Sequence, residues 1–304
     1  MRRRVHLLAP TLDERLAALV AHLDGARAGD VTGVHQARVA SRRLREAVPV
    51  VGALAGQRAL RRAARRLRRL TQALGPVREM DVALGLLEQV SSAHPGLGDA
   101  VAATRTLVDD ERGARRRVML TALRPAQTDA AIAAVRDVAA SAGTDDVAWR
   151  AVLAARIARR SEALRSTIAE AGVMYGIEAL HAVRIAAKKL RYALELAGAS
   201  RVAGVARALG TLRAAQDLLG ELHDRHVLGQ FAKEAASQGP AGLAVRERRL
   251  VGLLEAECLA IHGEYLRHRD RLLAVADDAV ARVAPAVIGR PPSRRPARRL
   301  ARAG

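Results

Sequence analysis

VHQARVASRRLREAV, residues 34–48, and LHAVRIAAKKLRYAL, residues 180–194, read as two versions of one helix. His35 aligns with His181, Arg38 with Arg184, Arg42 with Lys188, Arg43 with Lys189 and Arg45 with Arg191, all at an offset of 146 residues. A second pair follows in the same order, LGPVREMDV at 74–82 and LGELHDRHV at 219–227, at an offset of 145. Two matched segments at nearly one offset indicate an internal duplication. They predict halves at 1–144 and 145–285, each a bundle of helices.

The repeated stretch is amphipathic at helical period. At 100° per residue, His35, Arg38, Arg42 and Arg45 fall within an arc of about 80°. Ala37, Ala40, Leu44, Ala47, Val48 and Val51 gather on the opposite side. The second copy sorts the same way, with His181, Arg184, Lys188 and Arg191 opposed to Val183, Ala186, Leu190, Ala193, Leu194 and Ala197. Arg43 and Lys189 flank their stripes at the same edge. One face is therefore built for a core, and the other is a row of cations about 5 Å apart along the axis.

The composition agrees with an all-α fold. Half of the 304 residues are hydrophobic, mostly Ala, Leu and Val, and only 2% are aromatic. Ala and Leu lead the helix-propensity ranking, and no alternating strand pattern stands out. Helices are predicted over 11–27, 33–54, 57–74, 77–93, 97–120, 126–141, 146–172, 177–198, 201–218, 221–237, 241–269 and 271–283. Their breaks are placed at Gly/Pro signals such as Leu74-Gly75-Pro76, His94-Pro95-Gly96 and Gln238-Gly239-Pro240. Residues 286–304, Pro- and Arg-rich, are expected to form a disordered basic tail.

The formal net charge is +20, and of 51 basic residues only Lys188, Lys189 and Lys233 are lysine. The guanidinium fork binds phosphate oxygens in a bidentate way, so a polyanionic partner is the first expectation. The helix after the first stripe continues the theme with Arg58, Arg61, Arg62, Arg65, Arg66, Arg68 and Arg69; its second-half counterpart keeps Arg201, Arg207 and Arg213. Such rows repel themselves by a few tenths of a kcal/mol per neighbouring pair. Nearby acids are few (Glu46, Glu195, Glu79 and Asp224), so an external anion would relieve the repulsion. A single basic helix is ordinarily a solvated face. A solvated face, however, has no need to keep a histidine and four cations in register twice. Two such rows facing one cleft would line a basic cavity.

The pattern H-x-x-R-[VI]-x-x-[RK]-[RK]-L-R, occurring twice and each time followed by L-G-x-[VL]-x-[DE]-x-x-V, resembles the CHAD family, the conserved histidine α-helical domain. The resemblance covers essentially the whole chain except the tail. It implies two pseudo-symmetric helical bundles around a central basic cavity and binding of inorganic polyphosphate, with association with polyphosphate granules. Carried over by position, it implies contacts from His35, Arg38, Arg42, Arg43, Arg45, His181, Arg184, Lys188, Lys189 and Arg191. Arg65, Arg68, Arg69 and Arg213 are implied as secondary contacts, and Arg78 as a further one. The short motif departs from the family's Leu-Gly-x-x-Arg-Asp-x-Asp-Val: Glu79 replaces the first Asp, and His223 and His226 stand where the first copy has Arg78 and Asp81.

The chemistry of the ligand fits independently. Polyphosphate offers charge and no bases, and this chain has many cations and almost no rings on which bases would stack. The alternative partner is a nucleic-acid backbone, held by the basic tail. Two metal readings are open: His35 with His181, and His223 with His226 beside Glu221 and Asp224. Neighbouring guanidiniums oppose the first, and Asp224 fits a structural place in a helix about as well. Glu79 and Asp224 are expected to orient stripe arginines. No catalytic triad, phosphate loop or paired carboxylates stand out, nor does the Glu-x-Glu-x-Lys strand of triphosphate tunnel enzymes, so a binding module without cofactor is expected rather than an enzyme. Cys258 is the only cysteine, which excludes an intramolecular disulfide. Asp13, Glu14 and Arg15 cut short the apolar start of the chain, and a cytoplasmic protein is expected.

Overall fold

In the computed structural model, residues 8–141, 146–238 and 244–288 are described. Among them every regular element is helical: α1 (Ala9–Ala28), α2 (Val31–Val51), α3 (Gln57–Ala93), α4 (Gly98–Ala122), α5 (Pro125–Ala140), α6 (Asp146–Ala171), α7 (Ile177–Ala199), α8 (Val205–Gln238), α9 (Ala244–Asp278) and α10 (Ala284–Ile288). A 3-10 turn, Pro95–Leu97, precedes α4, and a π turn, Ala279–Val283, joins α9 to α10. No helix among the described residues is long and apolar enough to cross a membrane.

The two stripe helices bury the faces the sequence assigned to the core. Ala37, Leu44, Ala47, Val48 and Val51 of α2 are buried, as are Val183, Leu190, Ala193, Leu194 and Ala197 of α7. Removing Leu44 or Leu190 to alanine would cost about 2–5 kcal/mol. The start of α2 is fixed locally. Gly29 ends α1 at φ 86°, and the Asp30 carboxylate accepts the Gly33 N–H at 2.6 Å. A Cβ on Gly33 would come within 2.6 Å of the Gly25 backbone, so only glycine lets α1 and α2 cross this closely.

Each stripe helix packs on a long helix: α2 on α3 and α7 on α8. The long helices serve two cores. Their first parts join α1, α2, α6 and α7 in the main cluster. Their second parts, through Met80, Leu87 and Leu228, meet Val101 and Val108 of α4 and Leu250 and Leu254 of α9 in a smaller one. The transition between the cores falls where the short repeated motifs lie.

Three expected breaks are absent. Helix α3 runs through Leu74-Gly75-Pro76. Pro76 is exposed while Leu74 and Val77 are buried, so the missing N–H falls on the solvent side and packing holds the turn together. Helix α8 runs through Leu219-Gly220, and α9 through Asp270. Conversely, α8 starts at Val205 rather than 201, because Arg201 (φ 63°) and Gly204 (φ 81°) form a left-handed turn. Residues 286–288 belong to α10 rather than to the basic tail; the rest of that tail, 289–304, lies outside the described residues.

Candidate functional site

Between the stripe helices and the short motifs lies a cavity of about 410 Å³. Helix α2 contributes His35, Arg38 and Arg42; α7 contributes Arg184, Lys188 and Arg191; α3 contributes Arg78. Seven predicted residues thus share one space. Arg38 and Arg184 occupy matched settings. A Cβ on Gly75 would lie 3.6 Å from Arg38 Nε, and one on Gly220 would lie 3.7 Å from Arg184 Nε. Each guanidinium rests over a glycine of the facing long helix, and a larger side chain at Gly220, which lines the cavity, would enter it. Both Nε groups are buried without a hydrogen-bond acceptor, a costly state for a donor.

The Arg38 turn is braced from beneath. Ser41 donates to the Arg38 carbonyl at 2.9 Å, and the Thr71 hydroxyl reaches Ser41 Oγ at 3.1 Å. Arg191 is held differently. Its Nε donates to Gln216 Oε1 at 2.9 Å, its Nη1 to Glu195 at 3.0 Å, and it lies 4.8 Å from the Tyr192 ring centre. Among the described residues Arg42 and Arg78 have no ion-pair partner.

The packed cations bear on each other's protonation. Burial, then Arg184, Arg42 and Arg38, bring Lys188 down to about 6. Burial, with Arg42 and Arg184 behind it, lowers Arg38 to about 10. His35 is lowered by burial and then by Arg78 and Arg38; its Nδ1 is buried with no partner.

His181 does not line the cavity but backs it. Its Nδ1 lies 3.2 Å from Nδ1 of His223, which is a lining residue. Burial and His223 lower His181 to about 4, so it is neutral at physiological pH. His223 in turn reaches Glu79 at 3.4 Å, and Glu79 receives Arg115 of α4 at 2.7 Å. The His223 hydrogen bond is the main reason Glu79 falls to about 2, with Arg115 adding to it. The ring partner of His181 is thus His223. Glu79 bonds Arg115 and His223, and it also lies near enough to Arg38 and Arg184 to favour their charged forms. The cavity also holds more acid than the sequence implied, since Asp217 and Glu221 line it beside Glu79 and Asp224. Asp224 lies near enough to Arg184 and Lys188 to favour their charged forms.

The remaining predicted residues lie elsewhere. Arg43 borders a separate pocket between α1 and α2, pairing with Glu195 at 3.4 Å. Arg45 and Lys189 sit near Glu46 and Arg160, outside the cavity lining. Arg65, Arg68, Arg69 and Arg213 are exposed on α3 and α8. Glu46 also clamps α2 to α6, accepting Arg156 at 2.7 Å and Arg160 at 3.5 Å. Sequence offered no sign of this pairing, which spans 110 residues.

A model of the CHAD domain matches residues 11–233. No curated protein matches the sequence. The crystal structure of the CHAD domain from the plant Ricinus communis is 24% identical and superposes with a TM-score of 0.63, covering 89% of this chain and 90% of that one. PptA from Streptomyces chartreusis is 19% identical, with a TM-score of 0.56 over 91% of this chain and 97% of that one. At these identities the two structures are alike in fold.

Proposed function

Because the chain belongs to the CHAD domain family, a family associated with polyphosphate, we propose that it binds inorganic polyphosphate in the cavity between α2, α7 and the short motifs. One observation carries this reading. Six basic side chains from three helices converge on one cavity, and two of them leave buried donors unpaired. A chain of phosphates supplies acceptors along its whole length, which a single small anion does not. Halves 1–144 and 145–285 would then be two related bundles presenting one stripe each. The reading is of binding without turnover, with targeting to or scaffolding of polyphosphate granules in the cytoplasm as its use.

A competition titration at physiological salt tests it. Long-chain polyphosphate should displace duplex DNA, and affinity should rise with phosphate chain length. Equal affinity for pyrophosphate would sink the reading. Charge reversal of Arg38, Arg42, Arg184 and Lys188 to Glu should abolish cavity binding with helicity unchanged. The second reading, a nucleic-acid backbone held by the Arg-rich tail, is favoured only by the charge of residues 289–304. Deleting them should leave polyphosphate affinity intact, whereas loss of all binding would favour the tail.

A further inference from the structure

Not all of the cationic surface serves the cavity. On α3 the side chains of Arg58, Arg61, Arg65, Arg68 and Arg69 are exposed, and of this row Arg62 has found an acid, Asp137 at 2.5 Å. Beside them α3, α4 and the start of α5 enclose a groove of about 680 Å³. Its polar lining is Arg66, Arg69, Gln72, Thr121, Arg124 and Gln127, and no carboxylate is among the lining residues. In this it differs from the cavity, where four carboxylates sit among the cations.

The groove is not an extension of the cavity. Arg69 lines one and Arg78 the other. Nine residues of α-helix separate them, about 13.5 Å along the axis and roughly half a turn around it. One helix therefore shows guanidinium side chains to two separate spaces on opposite faces.

We propose that this groove is a second polyphosphate site, so that one protein molecule holds two chains, or two distant parts of one chain, at once. The inference rests on the polyphosphate reading of the cavity. The groove's occupant is a slender polyanion. Donors from both walls, guanidinium and amide, suit phosphate oxygens, and the apolar lining of Leu70, Ala73 and Val118 holds no ring for a base to stack on. A DNA duplex instead takes protein elements into its own grooves, which a concave surface does not supply. Two sites on opposite faces make the protein a cross-linker of polyphosphate, and a chain long enough to reach both gains avidity without new contacts.

The test uses the full-length protein, beads carrying long-chain polyphosphate, and a fluorescent polyphosphate added after washing. Wild type should bind the beads and capture the labelled chain. The groove variant Arg66→Glu/Arg69→Glu/Arg124→Glu should stay on the beads and lose capture at least tenfold. The neutral set Arg66→Gln/Arg69→Gln/Arg124→Gln, gentler on the fold, should lose it severalfold. A cavity variant, Arg38→Glu/Arg184→Glu, should keep weakened bead binding, and adding the groove changes should reduce that at least tenfold more. Undiminished capture by a helical groove variant overturns the inference, as does a combined variant that binds as well as the cavity variant alone; in both cases the cavity reading stands. If the cavity variant instead binds like wild type while the groove variant leaves the beads, the cavity reading fails and the groove survives. A groove variant that releases duplex DNA yet captures polyphosphate normally overturns the ligand class.

Discussion

Lys188 shows what a phosphate chain would change at a single residue. It shares the cavity with Arg38 and Arg42 of α2, Arg184 and Arg191 of α7, Arg78 and Glu79 of α3 and Asp224 of α8. Burial and the nearest guanidiniums hold its amine near 6, so it is largely neutral at pH 7–8. An anion in the cavity favours the ammonium and raises that value. Binding then takes up a proton between pH 6 and the bound value, and affinity rises as pH falls from 8 toward 6. Calorimetry in two buffers of different ionisation enthalpy should show uptake approaching one proton, and Lys188→Met should lose it and flatten the pH profile. Stability moves the other way. The unfolded chain holds this proton up to about 10.5 and the native chain only to about 6. The native state is thus penalised at neutral pH, and the penalty shrinks as pH rises through that window. Lys188→Met should therefore raise the melting temperature at pH 7 while weakening binding. A residue whose removal stabilises the fold and harms binding is placed for the ligand. At matched charge, Arg38→Gln should weaken binding about tenfold or more, because a charge-assisted bond is worth roughly 1.5–3 kcal/mol. Arg213→Gln, on an exposed stretch of α8, should change it less than twofold.

Among the elements, the stripe helices were legible in the sequence and the long helices were not. Amphipathic period marked α2 and α7 directly, because their buried and charged faces are nearly complete. Gly75-Pro76 and Gly220 read as punctuation, since glycine and proline end most helices. Here they lie inside α3 and α8, whose turns are held by two cores. Their chemistry is explained by what lies over them: each glycine faces a stripe arginine. Gly220→Leu should accordingly keep the helix and block the cavity, leaving circular dichroism unchanged and binding reduced at least tenfold. Glu46 belongs to the same scale, joining α2 to Arg156 and Arg160 of α6. With side-chain exposures of 12–26%, these ion pairs lie between the exposed and buried limits. Glu46→Ala leaves two guanidiniums facing each other and should cost about 2 kcal/mol in urea unfolding. Loss of under 0.5 kcal/mol would mean that α6 is held to α2 by apolar packing alone.

For the whole molecule, the two repeated motifs bring residues from opposite ends of the sequence to the lining of one cavity. The spacing of basic residues could show that Arg38 and Arg184 were equivalent. It could not show that they converge, because convergence depends on how α2, α3, α7 and α8 pack. Nor could it separate His35, which lines the cavity, from His181, which is bonded to His223 behind it. That difference arises where the second motif has His223 and the first has Arg78. The long-range pairs of Glu79 with Arg115 and Glu46 with Arg156 left no local pattern at all. The charge that escaped such pairing sets the salt response of binding. In the cavity Arg38, Arg42, Arg78 and Arg184 carry no ion pair among the described residues, Arg191 is engaged by Glu195, and Lys188 is held near 6. About four cations therefore meet the ligand already charged. At roughly 0.7 units per neutralised charge for a flexible single chain, these four together with Lys188, which charges on binding, should give log affinity against log salt a slope between about −3 and −4. Measured on the groove variant with a chain of about ten phosphates, the slope should change little from pH 8 to pH 6, because Lys188 is charged in the complex at both and only its proton uptake differs. A slope near zero would mean that the cavity does not bind its ligand through these charges.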